Sequence, residues 1–324
     1  MKILVANYHL RKTGGTENYT YALALELKRL GHEVEYFAFL KGEVSDILES
    51  KGIPYMSGKK YDLILANHRP CVRKLQSYGY IVQTCHGVVP KQEQPSRYAD
   101  HYVSITEEVR KHLLSQDIES SVIFNGIDCE RFTPKRPLPE KLSCVLSLCQ
   151  SEELNAFIAE CCEQIGVRFL SCNKYTDNVW DIPEKINQAD LVVGIGRSIY
   201  DAMACGRCVL SYDMRKYINA AIGDGYLDAS NFDKVIENNC SGRTLRKTFD
   251  KEGFVQELLK YNPADGQWAR EYALEHLNIT RVAEKYLALH DAIENAVADH
   301  KLLKYRKILN RLPAAVYSVF HKNR

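Results

Sequence analysis

Residues 189–209 read ADLVVGIGRSIYDAMACGRCV and carry the clearest structural signal in the chain. The apolar run Leu191–Val193 predicts a strand buried on both faces, which ends in a Gly-x-Gly turn at Gly194 and Gly196. A short helix headed by Ser198 follows, and the next glycine ends it before a second apolar run begins. The order of strand, glycine turn, helix and strand predicts one repeating unit of an α/β sheet.

The glycine turn predicts a cradle for an anion such as a diphosphate. Backbone N–H groups at a helix start have no partner within the helix, and glycines let a ligand approach them closely. Arg197 is the cation best placed to bind phosphate in a forked manner, with an ordinary surface arginine as the alternative. Asp201 lies one turn into the helix, where it either bonds ribose hydroxyls or only favours the helix dipole. No Asp-x-Asp pair occurs in the chain, so we expect charge neutralisation without a metal ion.

The same alternation of strand and helix signals runs through both halves of the chain. Six short apolar runs precede Phe132–Pro139, where three prolines in six residues cannot continue a helix or a central strand. We therefore expect an α/β protein of two Rossmann-like, doubly wound domains facing a cleft, at residues 1–135 and 136–280. Residues 281–324 are expected to form C-terminal helices and a basic tail, and the chain beyond Met214 is expected to be mainly helical.

Size, charge and cysteine content narrow the class of protein. The 324 residues suffice for two domains with a substantial core, and a formal net charge of +2 argues against nucleic acid as a partner of the whole molecule. The 11 cysteines follow no disulfide or zinc pattern, so we expect buried, reduced thiols in a cytoplasmic protein. The Cys-x-x-Cys pair of Cys205 and Cys208 is expected to be part of the core.

The end of the chain is strongly basic. Residues 301–324 contain seven Lys or Arg side chains and no acidic one. Leu302, Tyr305, Leu309 and Leu312 fall near one helical face, which is typical of a helix that lies on an anionic membrane surface. The alternative is a terminal helix packed on the protein with its basic face in solvent. We expect peripheral association with the inner face of the plasma membrane.

Three short motifs stand at the ends of predicted strands in the first half. Gly14 and Gly15 open the first helix, either as an anion site or as a tight turn. His86 ends the fourth strand, where it either bonds a sugar hydroxyl or phosphate or serves as a structural histidine. Asn125–Asp128 form a turn after the last strand of this half. The carboxyl ends of parallel strands point at the ligand crevice of such a sheet.

Together, these motifs resemble the retaining glycosyltransferases of family 4, which have the GT-B fold. The resemblance covers most of residues 1–290 and rests on the glycine loop with its helix, His86-Gly87, the segment 122–132 and residues 189–206. The donor-binding residues that it implies are Gly14, Gly15, Gly194, Gly196, Arg197, Ser198 and Asp201. The catalytic residues that it implies are His86, Arg197 and Asp201.

The resemblance implies sugar transfer from a UDP- or GDP-sugar to a hydroxyl of a glycan or lipid-linked acceptor. It further implies retention of configuration, metal-independent hexosyl transfer, no cofactor besides the donor substrate, and a role in bacterial surface polysaccharide assembly. Asp201 matches the second acid of the family's E-x7-E motif, whereas the first acid falls on Val193. Two alternatives remain, a nucleotide-sugar epimerase on the same fold and, because of Val193, a non-catalytic sugar-nucleotide-binding protein. The sequence does not identify residues that bind the acceptor.

Overall fold

The computed structural model describes residues 1–58, 60–173, 181–214 and 220–296. The strands of the first half are β1 (Lys2–His9), β2 (Glu33–Leu40), β3 (Tyr61–Ala66), β4 (Gly79–Cys85), β5 (His101–Ser104) and β6 (Ser121–Val122). Its helices are α1 (Gly15–Arg29), α2 (Glu43–Ser50), α3 (Arg69–Leu75) and α4 (Glu107–Leu114). The six strands form one parallel sheet in the order β2-β1-β3-β4-β5-β6, so all six predicted strands of this half are present.

Apolar composition and local capping explain the elements of this half. Ile3–Ala6 of β1 pair with Leu63–Ala66 of β3 and are almost completely buried, because helices cover both faces of a parallel sheet. The helix α4 begins where a side chain can cap it. Thr106 Oγ1 accepts a hydrogen bond from the backbone N–H of Val109 at 3.4 Å.

The second half repeats the arrangement with a smaller sheet. Its strands are β7 (Cys144–Ser147), β8 (Arg168–Ser171), β9 (Leu191–Gly194), β10 (Cys208–Met214) and β11 (Ala221–Leu227). Its helices are α5 (Glu152–Gln164), α6 (Ile182–Asn187), α7 (Arg197–Ala204), α8 (Phe232–Ile236), α9 (Lys251–Leu258) and α10 (Pro263–Tyr272), which continues into a π-helical turn (Ala273–Leu277). The strand order is β11-β10-β9-β7-β8, and β11 alone among these strands runs antiparallel to its neighbour.

The expectation of a mainly helical chain beyond Met214 is wrong at β11. The strand contains Gly-Asp-Gly, which is typical of a turn. Gly223 leaves room for the backbone carbonyl of Ser211, which a Cβ would obstruct. Asp224 is fully buried, and its carboxylate accepts the backbone N–H of Gly242 at 2.9 Å. Because these partners are distant in the sequence, the local pattern does not reveal the strand.

The last described helix, α11 (Ile279–Ala296), returns to the first half of the chain. Val282 and Tyr286 are buried in the core of that half, and the Tyr286 hydroxyl accepts a hydrogen bond from Tyr19 at 3.0 Å. The end of the chain therefore packs on the first sheet after the second sheet is complete. The predicted basic tail, residues 301–324, lies outside the described residues.

The cysteines are buried as predicted. All 11 are free thiols in the interior, and Cys205 and Cys208 belong to the core. Across residues 1–58, 60–173, 181–214 and 220–296, the helices lack the combination of length and apolar character that crossing a membrane requires.

Candidate active site

A cavity of about 460 Å³ lies between the carboxyl ends of the two sheets. Loops after β1, β4 and β6 form what we call its first-half wall, and loops after β7, β8 and β9 form its second-half wall. Seven of the eight predicted site residues line the cavity: Gly14, Gly15, His86, Gly196, Arg197, Ser198 and Asp201. The eighth, Gly194, ends β9 behind Ser198, where an added Cβ would meet the Ser198 Cβ at 2.9 Å. The carboxyl end of the strands is where ligands bind in open α/β sheets.

The start of α7 on the second-half wall is uncapped. Gly196 has φ 58° and ψ −127°, a conformation that strains any residue with a Cβ. It offers no capping side chain, and its own N–H donates to the carbonyl of Cys240 at 3.1 Å. The N–H groups of Arg197 and Ser198 have no partner within the helix, since they belong to its first turn. An anion in the cavity would find both the helix dipole and free donors at this point.

Two partners hold the Arg197 guanidinium in place. Its Nε donates to Asp201 Oδ1 at 3.2 Å, and its Nη1 donates to the carbonyl of Gly126 in the first half at 3.2 Å. Only 11% of the Arg197 side chain and 8% of the Asp201 side chain are exposed. Burial raises the pKa of Asp201, and the charges of Arg197 and Arg131 oppose that rise. The structure thus places Asp201 beside the guanidinium as an orienting partner. The other guanidinium N–H groups have no partner among the described residues and are left for a ligand.

His86 lies on the first-half wall as a neutral histidine. Burial is the main cause that lowers its pKa to about 3, and the charges of His68 and Arg197 contribute to the same shift. Its Nε2 lies 3.0 Å from Asn67 Oδ1, while Asn67 Nδ2 donates to Thr20 Oγ1 at 2.7 Å. Because an amide oxygen only accepts, the hydrogen-bond network assigns the proton to Nε2 and makes Nδ1 an acceptor. This histidine can orient a hydroxyl but cannot neutralise a phosphate.

Four further cavity residues escape the sequence analysis. Asn18 Oδ1 and Ser241 Oγ are buried without a hydrogen-bond partner among the described residues, although buried polar groups normally have one. Glu93 lies in the loop after β4, and Arg243 lies in the loop after α8. The positions of Ser241 and Arg243 depend on β11, which the sequence conceals. Glu93 had one signal, since it follows His86 in the same strand-end loop.

The family's first acid has no counterpart at the equivalent position. Val193 is fully buried in β9 and packs in the core of the second sheet. Within the described part of the chain, no group of three or more His, Cys, Asp or Glu side chains gathers as metal ligands. The second-half wall also includes Cys172 and Ile182, and residues 174–180 between them lie outside the described residues.

An ion pair links the two halves beside the cavity. Arg243 Nε donates to Glu108 Oε1 at 3.0 Å, and Arg243 Nη2 donates to Glu108 Oε2 at 2.5 Å. The backbone N–H of Glu108 also donates to the carbonyl of Glu237 at 2.9 Å. The start of α4 in the first half therefore contacts the loop that carries Ser241 and Arg243 in the second half.

Solved structures resemble this chain, whereas no protein-family model and no curated protein sequence matches it. HepE from Anabaena, determined in complex with UDP and glucose, matches with a TM-score of 0.63 and 15% identity over 90% of this chain and 100% of that chain. AviGT4, a glycosyltransferase involved in avilamycin A biosynthesis, matches with a TM-score of 0.52 and 14% identity over 90% and 97% of the two chains. MurG from Acinetobacter baumannii matches with a TM-score of 0.51 and 12% identity over 87% and 98%. The likeness confirms the predicted fold: the chain has the GT-B fold, in which two Rossmann-like domains face a cleft.

Proposed function

We propose that this protein is a glycosyltransferase that moves a sugar from a UDP- or GDP-sugar to a hydroxyl acceptor with retention of configuration. One observation carries the proposal: the uncapped start of α7, the fixed Arg197 guanidinium and neutral His86 surround a single cavity between two Rossmann-like domains. The resemblance to retaining glycosyltransferases of family 4 supports the stereochemistry. The UDP and glucose bound to the similar HepE structure support a UDP-sugar as the first donor to test.

The chemistry of the second-half wall suits a diphosphate leaving group. Negative charge develops on the diphosphate as its bond to the sugar breaks. The N–H groups of the first turn of α7 and the Arg197 guanidinium stabilise this charge without rearranging, because Asp201 and the Gly126 carbonyl already hold the guanidinium. Since the N–H groups and the guanidinium supply the counter-charge, the proposed mechanism uses no metal ion.

In the proposed step, the bond between the sugar C1 and the diphosphate oxygen breaks as the acceptor oxygen bonds to C1. The acceptor proton passes to an oxygen of the departing phosphate on the same face, as the family resemblance implies. His86 Nδ1 accepts a hydrogen bond from a donor-sugar hydroxyl, since its Nε2 is engaged by Asn67. Enclosure between the two domains excludes water and limits hydrolysis of the donor.

We further propose a glycan or lipid-linked acceptor, a role in bacterial surface polysaccharide assembly, and work at the cytoplasmic face of the plasma membrane. The support is the sequence of residues 301–324, which contains seven basic side chains and predicts an apolar helical face. Sedimentation of the full chain with phosphatidylglycerol vesicles tests the membrane contact. A chain that stays in the supernatant would overturn it.

Calorimetric titration with UDP, GDP, dTDP and CMP tests the donor site. We expect a nucleoside diphosphate to bind, and Arg197→Ala to weaken that binding about 10- to 100-fold, as expected for loss of charged hydrogen bonds. Arg29→Ala is the matched control, because it breaks an Arg–Glu pair of 2.6 Å between Arg29 and Glu26 on α1, away from the cavity. Unchanged affinity in Arg197→Ala would overturn the site.

The reaction itself separates the three functions. A transferase converts the matching nucleotide sugar only with an acceptor, apart from slow hydrolysis. An epimerase converts the donor alone, which NMR of donor and enzyme detects. A non-catalytic binder leaves the donor intact with every acceptor. The anomeric coupling constant of the product then reports retention or inversion.

A further inference from the structure

The loop after β4 places a carboxyl group on the first-half wall of the cavity. Glu93 lines the cavity, and a Cβ added to Gly87 would lie only 2.6 Å from its Oε2. Gly87 directly follows His86, so the absence of a side chain there lets the carboxyl lie beside the histidine of the site. The backbone thus brings a carboxyl group to the wall that faces the start of α7.

The Glu93 carboxyl is available, in contrast to its neighbour Glu17. Glu17 accepts a hydrogen bond from Thr16 Oγ1 at 3.0 Å, and its Oε1 lies 3.4 Å from His9 Nδ1. For Glu93, no side-chain hydrogen bond or ion pair is formed with any residue in the described ranges. The nearby Asn18 Oδ1 is likewise buried without a partner in that part of the chain. Asn125 Oδ1, in the loop after β6, is in the same state, so three side chains on this wall carry an oxygen acceptor without a donor.

The charges of the two walls are opposite in sign. Arg197 supplies positive charge on the second-half wall, while Glu93 supplies a carboxyl group on the first-half wall, and the charge of Glu17 acts on that carboxyl. Burial, and to a smaller extent the negative charge of Glu17, together raise the pKa of Glu93 to about 7. His86 is neutral and adds no positive charge. A ligand for the first-half wall must offer O–H or N–H donors, and a negative group on it would meet repulsion from the carboxylates.

We propose that Glu93 and Asn18 bind the sugar acceptor and select a neutral polyol, with Glu93 accepting a hydrogen bond from an acceptor hydroxyl. This inference rests on the proposed glycosyltransferase function and adds the chemical class of its acceptor. Acceptors with a carboxylate or phosphate at the end that enters the cavity are excluded. The diphosphate then occupies the second-half wall, because the first-half wall repels its charge, and the first-half wall is left to the neutral acceptor.

The test uses matched neutral and anionic sugars with UDP-saturated protein, or with GDP if that is the nucleotide bound. The probes are methyl glucoside with methyl glucuronide, and methyl galactoside with methyl galacturonide, followed by saturation-transfer NMR. We expect the wild type to bind at least one neutral probe and to disfavour its uronide about 10-fold or more, in line with one charged interaction. Failure of both neutral probes to bind would overturn the proposal.

Variants at Glu93 separate recognition from folding. Glu93→Gln keeps the shape and removes the charge, so the preference for the neutral sugar should fall towards unity. The ratio of the two affinities cancels any general loss of folded protein. Glu119→Gln, an exposed change in the same half, should leave the ratio unchanged. The same ratio in wild type and Glu93→Gln would overturn the proposal.

The pH dependence gives a second readout. Glu93 ionises as the pH rises through about 7, so discrimination against the uronides should be stronger at pH 8 than at pH 6. The uronide carboxylates stay ionised across this range. Glu93→Gln should show no such change, and a wild type with a flat ratio would contradict the role of the charge. Nucleotide affinity should be equal in wild type and Glu93→Gln, so failure of the donor site and failure of the acceptor site remain distinguishable.

Discussion

The two walls of the cavity are built by different means. The anion-binding part of the second-half wall comes from one continuous stretch, in which Gly196, Arg197, Ser198 and Asp201 lie on a single glycine turn and helix. The first-half wall comes from separate loops after β1, β4 and β6. One wall offers backbone donors and a guanidinium, and the other offers side-chain acceptors. A local motif is sufficient to build an anion site, whereas the polyol site that we propose depends on packing between distant segments.

The two walls also differ in how firmly their charged side chains are held. Arg197 is fixed by Asp201 and the Gly126 carbonyl before any ligand binds. Glu93 has no such partner among the described residues and can adjust to a ligand. We infer that the second-half wall is preorganised for the charge of a transition state, and that the first-half wall is adapted to select an acceptor.

Breaking the ion pair of the second-half wall should have the largest effect on stability. Asp201→Ala leaves the Arg197 guanidinium largely buried without its carboxylate, and loss of one member of such a pair destabilises by about 3–5 kcal/mol. The double variant Arg197→Met/Asp201→Leu should recover part of this loss, because no charge remains unpaired. Urea unfolding of wild type, single and double variants measures the difference.

A surface pair provides the control for this prediction. Lys251 and Glu160 are about half exposed, so Lys251→Ala should leave the free energy of unfolding nearly unchanged. A double variant as unstable as Asp201→Ala would show that lost packing, and not the unpaired charge, dominates.

Alanine substitutions at two glycines, one on each wall, test whether the second-half wall is the more rigid of the two. Gly196→Ala forces a side chain into positive φ and places a Cβ 3.3 Å from Asn239 Nδ2, so we expect a loss of about 1–3 kcal/mol and weaker nucleotide binding. At Gly87 the added Cβ meets the movable Glu93 carboxyl. Gly87→Ala should therefore weaken acceptor binding and leave stability and nucleotide affinity nearly unchanged. Urea unfolding and calorimetry report both quantities, and equal destabilisation by the two changes would contradict the distinction.

Most of the fold can be predicted from the sequence because, as at the glycine turn before α7, short local patterns specify its elements. Buried parallel strands are short apolar runs, and residues such as Thr106 mark helix starts locally. The strand β11 is not predicted, because the roles of Gly223 and Asp224 depend on their contacts with β10 and with the loop at Gly242. The local sequence also does not predict that α11 returns to the first sheet, since an amphipathic pattern does not specify which core the helix covers.

The site residues likewise fall into two groups, those that the sequence predicts and those that only the packing brings to the cavity. Seven predicted residues line the cavity because each stands at a strand end, and topology brings those ends together. The pairing of Asp201 with Arg197 fits the helical spacing of four residues but competes with the ribose role that the resemblance implies. Glu93, Asn18 and Ser241 carry no motif, so only their burial and lack of partners identify them. Which nucleotide base is bound stays a prediction to be tested by titration.

An effect smaller than that of Asp201→Ala, and present only in acid, is expected at His86, where pH tests the first-half wall. Its pKa is near 3 in the folded protein and about 6.5 in an unfolded chain, so the unfolded chain takes up the proton first as the pH falls. Stability is therefore fully present above pH 6.5 and is lost as the pH falls towards 3, and His68, with a pKa of about 4, adds to the same trend. His86→Gln can still donate to Asn67 but cannot titrate. Its loss of stability between pH 7 and pH 5 should be smaller than that of the wild type by on the order of 1–2 kcal/mol.

Urea unfolding at pH 7 and pH 5 measures this difference. His276→Gln is the control, because the His276 side chain is 46% exposed and lies outside the cavity. We expect its pH dependence to match that of the wild type. If His86→Gln also matches the wild type, His86 is not held neutral, and the first-half wall would then carry a positive charge at low pH. In that case acid would draw anionic acceptors towards the wall that we propose excludes them, and the contrast between the two walls would hold only above the pKa of that histidine.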